Sequence, residues 1–345
     1  MNKRRCSVFF LLVGVLLAAC SKEPVYVEQS YVFGTLVEVT IEGEDEARAK
    51  QAIAAVMQEF QRLHNLLHAW QPSELSELNA AIAQRKTTEI SAELALMLKD
   101  AAELSAQSEG LFNPAIGGLV KLWGFHADEY KAALPDGKQL EKLVKARPQM
   151  SDLVIEGKRA WSKNPAVQFD LGGYAKGYAL TRATQILRQQ GIRNALVNIG
   201  GNVLALGKHG SRAWRVGIQH PRKSGPIATL ELHDGEAIGT SGDYQRYFEL
   251  GGKRYCHLID PRSGHPVQSV QAVTVLTRGV RAGVLSDATS KPLFISGAPG
   301  WRAAAQKMNL TEALLIDASG TVHLTAAMNK RLEFMDPKTL RKIEK

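Results

Sequence analysis

Two long stretches in the first third of the chain repeat apolar side chains every three to four residues. The stretch Glu44–His68 predicts an amphipathic helix, since its apolar positions fall on one face. Those positions are Ala49, Ala52, Ile53, Val56, Met57, Phe60, Leu63 and Leu67. Ser91–Ser108 predicts a second helix, which Gly110 ends. Before both, apolar and polar residues alternate through Tyr31–Ile41, which predicts a strand with a bend at Gly34.

The second half of the chain is richer in short alternating segments than in helical ones. Gly173–Gln190 predicts a helix, and several strands are expected between Ala195 and Ile238. Tyr244–Ile259 predicts a β-hairpin that turns at Gly251 and Gly252, so His257 would lie near the end of a strand. With no repeat and no clear break, the fold class expected is α+β: mixed sheets with flanking helices, in one large domain of two closely joined lobes.

The N-terminus predicts a targeting segment. Lys3, Arg4 and Arg5 precede the apolar run Val8–Leu17, and small residues then lead to Cys20. This pattern resembles a bacterial lipoprotein signal, which implies removal of residues 1–19, lipidation of Cys20 and a tether over residues 20–29. The globular domain would then cover residues 30–340 on the periplasmic side of a membrane, with inner or outer membrane left open. A plain signal peptide or an unprocessed anchor is the alternative.

Net charge indicates which classes of partner are expected, and the cysteine content indicates whether a disulfide can form. The formal net charge is +9, and removal of residues 1–19 takes away three positive charges. A moderately basic chain favours anionic substrates or membrane surfaces, but no basic cluster with interleaved aromatic residues indicates nucleic acid. Of the three cysteines, only Cys256 would remain as a thiol, so an internal disulfide is excluded.

Several polar residues lie at positions where their side chains could take part in catalysis or binding. Each of them could equally have a purely structural role. Asp170–Gly177 predicts a glycine-rich turn that opens a helix; it could bind an anion with Lys176, or be only a helix start. His257 could act as a base or be a solvated hairpin residue. Asp287 could hold a hard cation or cap a helix. Trp70 could support a flat ring or belong to the core.

Taken together and in order, these segments resemble the ApbE family of FAD:protein FMN transferases. The segments that carry the resemblance are Phe33-Gly34-Thr35, Ser73–Asn79, Leu119–Phe125, Asp170–Gly177, Asn198–Asn202, Thr240–Gly242 with Tyr244 and Tyr247, His257–Pro266, and Asp287-Ala288. They run from about Tyr31 to Gly320, nearly the whole chain after the N-terminal segment. The resemblance implies an ApbE-like fold.

The resemblance also implies the roles of individual residues. The residues it implies for FAD contact are Phe33, Trp70, Leu111, Phe112, Asn113, Asp170, Lys176 and Ile259. Phe33 replaces the family's usual Met, Trp70 its frequent Tyr, and Asn113 its usual Asp. The implied ligands of Mg²⁺ are the Gly173 carbonyl, Asp287 and Ser290. His257, with an ordinary pKa of about 6.5, suits the general base.

One departure concerns the implied metal loop. The family usually has Thr four residues after the Asp, whereas this chain has Lys291. A protonated lysine cannot ligate a metal. Either metal binding is weakened, or the Lys291 ammonium partly replaces the cation beside the pyrophosphate.

The function implied is transfer of FMN from FAD to a Ser or Thr hydroxyl of an acceptor protein, with release of AMP and dependence on Mg²⁺. The acceptor expected from the family is a membrane-associated redox subunit on the same side of the membrane. Two alternatives remain open. Water could replace the acceptor, which would make the protein an FAD pyrophosphatase, or Asn113 and Lys291 could mark a flavin-binding lipoprotein that has lost catalysis.

Overall fold

The computed structural model describes residues 23–127, 129 and 131–344. The predicted signal segment, Cys20 and the first residues of the predicted tether lie outside the described residues. The helices are α1 Glu46–Leu67, α2 Glu74–Ala83, α3 Ala92–Gln107, α4 Gly117–Leu122, α5 Gly137–Ala146, α6 Ala175–Gln189, α7 Ala282–Ala288, α8 Ser290–Lys307 and α9 Ala326–Arg331. The strands are β1 Val25–Val32, β2 Thr35–Glu42, β3 Thr88–Glu89, β4 Leu153–Glu156, β5 Arg159–Ser162, β6 Asn194–Ile199, β7 Asn202–Leu206, β8 Trp214–Gln219, β9 Pro226–Leu232, β10 Glu236–Gly242, β11 Tyr247–Leu250, β12 Lys253–Cys256, β13 Val270–Arg278, β14 Glu312–Asp317, β15 Val322–Thr325, β16 Glu333–Phe334 and β17 Arg341–Glu344.

A large mixed sheet organises the described part of the chain. Its strand order is β1-β2-β6-β7-β10-β13-β14-β15-β17. Neighbouring strands run antiparallel, except that β15 and β17 pair in parallel. Smaller sheets are β16-β9-β8, β3-β5-β4 and the hairpin β11-β12. The expected α+β class, with mixed sheets and flanking helices, is confirmed.

The main sheet is covered on both faces, and strand β13 shows how. Side chains alternate along a strand, so Val273 and Val275 join the core beneath helices α1, α6 and α8. Ala272 and Leu276 point the other way, into a second core against β8 and β9. Layers on both faces therefore leave β13 buried from Val270 to Thr277.

The long predicted helices are confirmed as α1, α3 and α6. Each of α1 and α3 begins at a side-chain cap, from Asp45 and Ser91 respectively. The predicted hairpin is confirmed as β11 and β12, and its turn residues Gly251 and Gly252 both have positive φ, which two-residue hairpin turns of this kind require.

The predicted tether over residues 20–29 is wrong from residue 25 onward. Val25–Val32 forms β1 and pairs with β2 along its whole length, from Val25 opposite Glu42 to Val32 opposite Thr35. β1 is an edge strand whose residues are mostly exposed, so its sequence lacks the buried apolar face that identifies inner strands. No described helix is long and apolar enough to cross a bilayer.

Candidate active site

The buried carboxylate of Asp287 joins α7 to the start of α6. Asp287 is 1% exposed, and its Oδ2 accepts a hydrogen bond from the Gly177 backbone N–H at 3.0 Å. The two helices approach backbone to backbone, since a Cβ on Gly177 would lie 2.4 Å from the Gly283 carbonyl oxygen. A carboxylate at the first turn of α6 also interacts favourably with the helix dipole. Asp287 therefore fixes the position of the glycine-rich turn.

Lys291 lies one helical turn after Asp287 and covers it. Its Nζ pairs with Asp287 Oδ1 and donates to the Asp287 carbonyl oxygen at 2.5 Å. Its stem runs beside Gly173, where a Cβ would meet Lys291 Cε at 3.2 Å. The Lys291 side chain is 13% exposed, against 1% for the Asp287 side chain. A ligand at this site would therefore meet the lysine before the carboxylate.

The charges of this pair depend on each other. Burial opposes ionisation of Asp287, but the positive charges of Lys291 and Lys176 and the hydrogen bonds to the carboxylate outweigh it and lower its pKa. Burial lowers the pKa of Lys291, which the Asp287 carboxylate counteracts and the Lys176 charge reinforces. Lys176 is thus close enough to act on both members of the pair.

Asp287 and Ser290, two of the residues implied as Mg²⁺ ligands, already have other hydrogen-bond partners. Asp287 Oδ1 and its carbonyl oxygen are engaged by Lys291, and Oδ2 by Gly177. Ser290 Oγ donates to the same Asp287 carbonyl at 2.8 Å and lies 2.7 Å from Ser241 Oγ. The ammonium thus already pairs with the carboxylate that a cation would need, and this arrangement does not fit a divalent ion. Among the described residues, no group of three or more His, Cys, Asp and Glu side chains is arranged to hold a metal either.

His257 follows β12 directly, and its ring is fixed by the backbone of Arg246. The Arg246 carbonyl accepts from His257 N at 3.0 Å and lies 3.2 Å from His257 Nδ1. Because a carbonyl only accepts, Nδ1 carries the proton, which leaves the lone pair on Nε2. Burial, together with the charges of Arg246, Lys176 and Lys291, lowers the pKa of His257 to about 3. The ring is therefore neutral at physiological pH and lies near both lysines.

An aromatic cluster holds the hairpin that presents His257. We define this hairpin cluster as Trp123, Phe125, Phe248 and Tyr255, whose rings stack at centroid distances of 5.2–6.4 Å. Trp123 Nε1 donates to the Gly264 carbonyl at 2.7 Å, which ties the cluster to the loop after the hairpin. Phe125 meets the His257 ring edge-on at 6.4 Å. Cys256 points the other way and is buried, which raises the pKa of its thiol to about 12.

Phe33 and Trp70 lie along one row of rings. Phe33, at the turn between β1 and β2, meets His64 at 5.8 Å, and His64 meets His68 at 5.1 Å. His68 Nδ1 accepts from the Trp70 backbone N–H at 3.2 Å, and the Trp70 ring meets His126 at 5.5 Å. Since His126 follows Phe125, the row continues along the chain to the hairpin cluster beside His257.

The remaining residues expected to contact FAD are placed as follows. Phe112 is buried, and its Cε2 would lie 3.7 Å from a Cβ on Gly173. Asn113 spans a loop, donating to the Pro148 carbonyl and accepting from Ala115 N–H. Leu111 packs on the main core, and Ile259 packs into the hairpin cluster's apolar surroundings. Asp170 Oδ1 accepts from Gly172 N–H at 2.8 Å and shapes the glycine-rich turn.

The residues brought together most closely are Gly173, Lys176, His257, Asp287 and Lys291. All of them except Lys291 resemble the residues of one known family in order and spacing, and comparison with known proteins agrees. The ApbE family matches residues 33–315. The chain belongs to the ApbE family.

Similar proteins and solved structures support this membership. The FAD:protein FMN transferase of Rhodobacter capsulatus is 43% identical over 326 residues, which are 94% of this chain and 62% of that protein. A Klebsiella pneumoniae protein of the same name is 31% identical over 92% of this chain and 96% of its own length. Among solved structures, the ApbE protein of Thermotoga maritima has a TM-score of 0.81 at 27% identity, covering 89% of this chain and 99% of its own. Flavin transferase ApbE from Vibrio cholerae has a TM-score of 0.78 at 25% identity, covering 90% and 99%.

Sequence reasoning missed the supporting residues of the site. Gly177 was recognised as part of a motif, but not as the donor to Asp287. Arg246 orients His257 through its carbonyl, a backbone role that no sequence signal reveals. Ser241 lies in the polar stretch before the hairpin and contacts Ser290, although 49 residues separate them. For Ser241, position in that stretch was the only available signal.

Proposed function

We propose that this ApbE-family protein transfers FMN from FAD to a Ser or Thr hydroxyl of an acceptor protein and releases AMP. The observation that carries the proposal is the His257 ring, whose Nδ1 donates to the Arg246 carbonyl so that Nε2 keeps its lone pair, near the charges of Lys176 and Lys291. A base and two cations are what an alcohol attacking a pyrophosphate needs. The names of the relatives, FAD:protein FMN transferase, support the same reaction.

The start of α6 is proposed to bind the pyrophosphate. Backbone N–H groups at a helix start attract anions, and the glycine-rich turn allows close approach. Lys176 and Lys291 add positive charge, and Asp287 holds the turn in position. These residues orient the phosphorus on the FMN side and spread the charge that develops on the leaving phosphate.

His257 is proposed to take the proton of the acceptor hydroxyl on Nε2. The hydroxyl oxygen then bonds to the FMN-side phosphorus, and the P–O bond to the AMP phosphate breaks with its electron pair on AMP. A pKa of about 3 makes His257 a weak base in the free protein. Bound pyrophosphate would offset the charges of Lys176 and Lys291 and raise this pKa, so the base would strengthen once FAD is in place.

The flavin is proposed to lie along the ring row from Phe33 to Trp70. Aromatic faces and edges are suited to a flat ring system. Phe112 next to Gly173 supports a path from the pyrophosphate turn to these rings. The implied contacts of FAD with Leu111, Asn113, Asp170 and Ile259 belong to the same proposal.

The protein is further proposed to act on the periplasmic side of a bacterial membrane, anchored through lipidated Cys20. The support is the lipoprotein-like N-terminal sequence, together with the start of β1 at Val25, only five residues later. So short a spacer would hold the domain close to the bilayer. The proposed acceptor is accordingly a membrane-associated redox subunit.

Incubation of the purified protein with FAD and a candidate acceptor tests the proposal. We expect the acceptor to gain covalent flavin fluorescence, with AMP released in equal amount. Free FMN with no labelled acceptor would instead identify a pyrophosphatase. Unchanged FAD would identify a protein that only binds the flavin. An acceptor whose target Ser or Thr is replaced by Ala serves as the matched control and should remain unlabelled.

A further inference from the structure

Lys291 presents an unused donor at the site of the expected cation. An ammonium has three N–H donors. Within the described residues, Lys291 Nζ has two acceptors, Asp287 Oδ1 and the Asp287 carbonyl oxygen. The third N–H is therefore available to an oxygen of a ligand. The partial exposure of the Lys291 side chain over a buried Asp287 gives such an oxygen access.

The surrounding structure is built for a lysine at this position. The stem passes over Gly173, where any side chain would press against Lys291 Cε. Asp287 supplies the counter-charge and is itself held by Gly177. A lysine so confined loses little conformational freedom when an anion binds. Like a bound metal ion, it is a positive charge that is already held in position.

A divalent ion would have to displace this arrangement. It would compete with the ammonium for Asp287 Oδ1 and the Asp287 carbonyl, and like charges would then lie within a few ångströms of each other in a buried site. Lys176 already adds positive charge nearby, as its effect on Asp287 and His257 indicates. The local charge thus favours the two lysines alone over the two lysines together with a divalent ion.

We propose that the Lys291 ammonium is the fixed cation for the pyrophosphate of FAD, in place of a divalent metal ion. FAD binding, and the FMN transfer on which this inference rests, then need no Mg²⁺. Lys291 would contact the pyrophosphate directly and stabilise the charge that leaves with AMP.

The wild-type protein tests this without any substitution. FAD affinity, followed by flavin fluorescence, and FMN transfer are measured in EDTA and again with excess Mg²⁺. We expect both quantities to agree within about twofold between the two conditions. A loss of tenfold or more in EDTA that Mg²⁺ restores, in either quantity, would overturn the inference.

Three variants test whether the Lys291 side chain is responsible for FAD binding and FMN transfer without Mg²⁺. Lys291→Met keeps a similar length without charge, and transfer in EDTA should fall about 100-fold, the scale of losing one fixed charge-stabilising donor. Lys291→Thr offers an oxygen instead, and its loss in EDTA should be recovered at least partly by Mg²⁺. Lys307→Met, at a surface ion pair with Glu109, is the matched control and should behave like wild type. Lys291→Met with wild-type FAD affinity and transfer would overturn the inference.

Failure of the inference and failure of the proposed function give different results. Transfer that requires Mg²⁺ would leave the function standing and remove only the role of Lys291. FAD binding without transfer in either condition would remove the function, and the FAD affinity in EDTA would still decide whether Lys291 replaces the metal.

Discussion

The Asp287 carboxylate has two partners in the buried site, the Lys291 ammonium and the Gly177 N–H, and its removal would affect both. Lys291 would keep a buried charge without a counter-ion, and the Gly177 N–H would lose its acceptor. We expect Asp287→Ala to lower the free energy of unfolding by about 3–5 kcal/mol, the scale for breaking a buried ion pair from one side. Urea denaturation measures this change.

A second substitution separates the contribution of the Asp287–Lys291 ion pair to stability from that of the hydrogen bond with Gly177. Adding Lys291→Met to Asp287→Ala removes the unpaired charge, so the double variant should recover much of the lost stability. If the double variant is as unstable as the two single losses added together, the two side chains do not form the pair described here.

At the scale of elements, the hairpin β11–β12 depends on the hairpin cluster for its orientation. Trp123→Phe removes the hydrogen bond to Gly264 and part of the stacked surface. We expect a stability loss of about 1–3 kcal/mol and a fall in transfer of about tenfold, since small displacements of a catalytic group are costly. Rates are compared at equal folded fraction, well below the denaturation midpoint.

Trp301→Phe is the matched control for that element. Trp301 is fully buried on α8, in the core beneath the main sheet, and its Nε1 faces Glu344. The same substitution there should cost similar stability and leave transfer per folded molecule unchanged. Equal loss of transfer in both variants would mean that the effect comes from general destabilisation and not from the hairpin.

The elements also show which features a sequence can predict. Helix α1 was predicted from its periodicity because one face lies on the core along all its turns. Strand β1 was missed, because an exposed edge strand has no buried face to impose a pattern. In the site, the motif Asp170–Gly177 and the importance of Asp287 were evident, but their contact joins residues 110 positions apart. That Lys291 pairs with the carboxylate expected to bind a metal follows from packing, which the sequence does not encode locally.

For the whole molecule, the pKa of His257 predicts how stability responds to acid. Its pKa is about 3 when folded against an ordinary 6.5, as burial and the charges of Arg246, Lys176 and Lys291 disfavour the protonated ring. Between these pH values the unfolded chain binds more protons, so stability should fall as the pH drops from 6.5 towards 3. The loss is up to about 1.4 kcal/mol for each pH unit.

His257→Gln isolates this contribution in denaturation measurements between pH 4 and pH 6.5, values within the range that the histidine controls. The variant should lose stability less steeply than wild type as the pH falls. Carboxylates whose pKa is lowered by their partners, such as Glu312 and Asp317, also cost stability in acid, but equally in both proteins. Parallel curves would show that His257 is not held neutral by the fold.

The most direct test of the account compares wild type with His257→Ala by intact mass of the acceptor protein. Both proteins are supplied with FAD under identical conditions, and FAD affinity is measured alongside. The account predicts that wild type adds the mass of FMN less water to the acceptor, whereas His257→Ala binds FAD nearly as well and adds none. Undiminished labelling by His257→Ala would contradict the assignment of His257 as the base, and with it the mechanism proposed for this site.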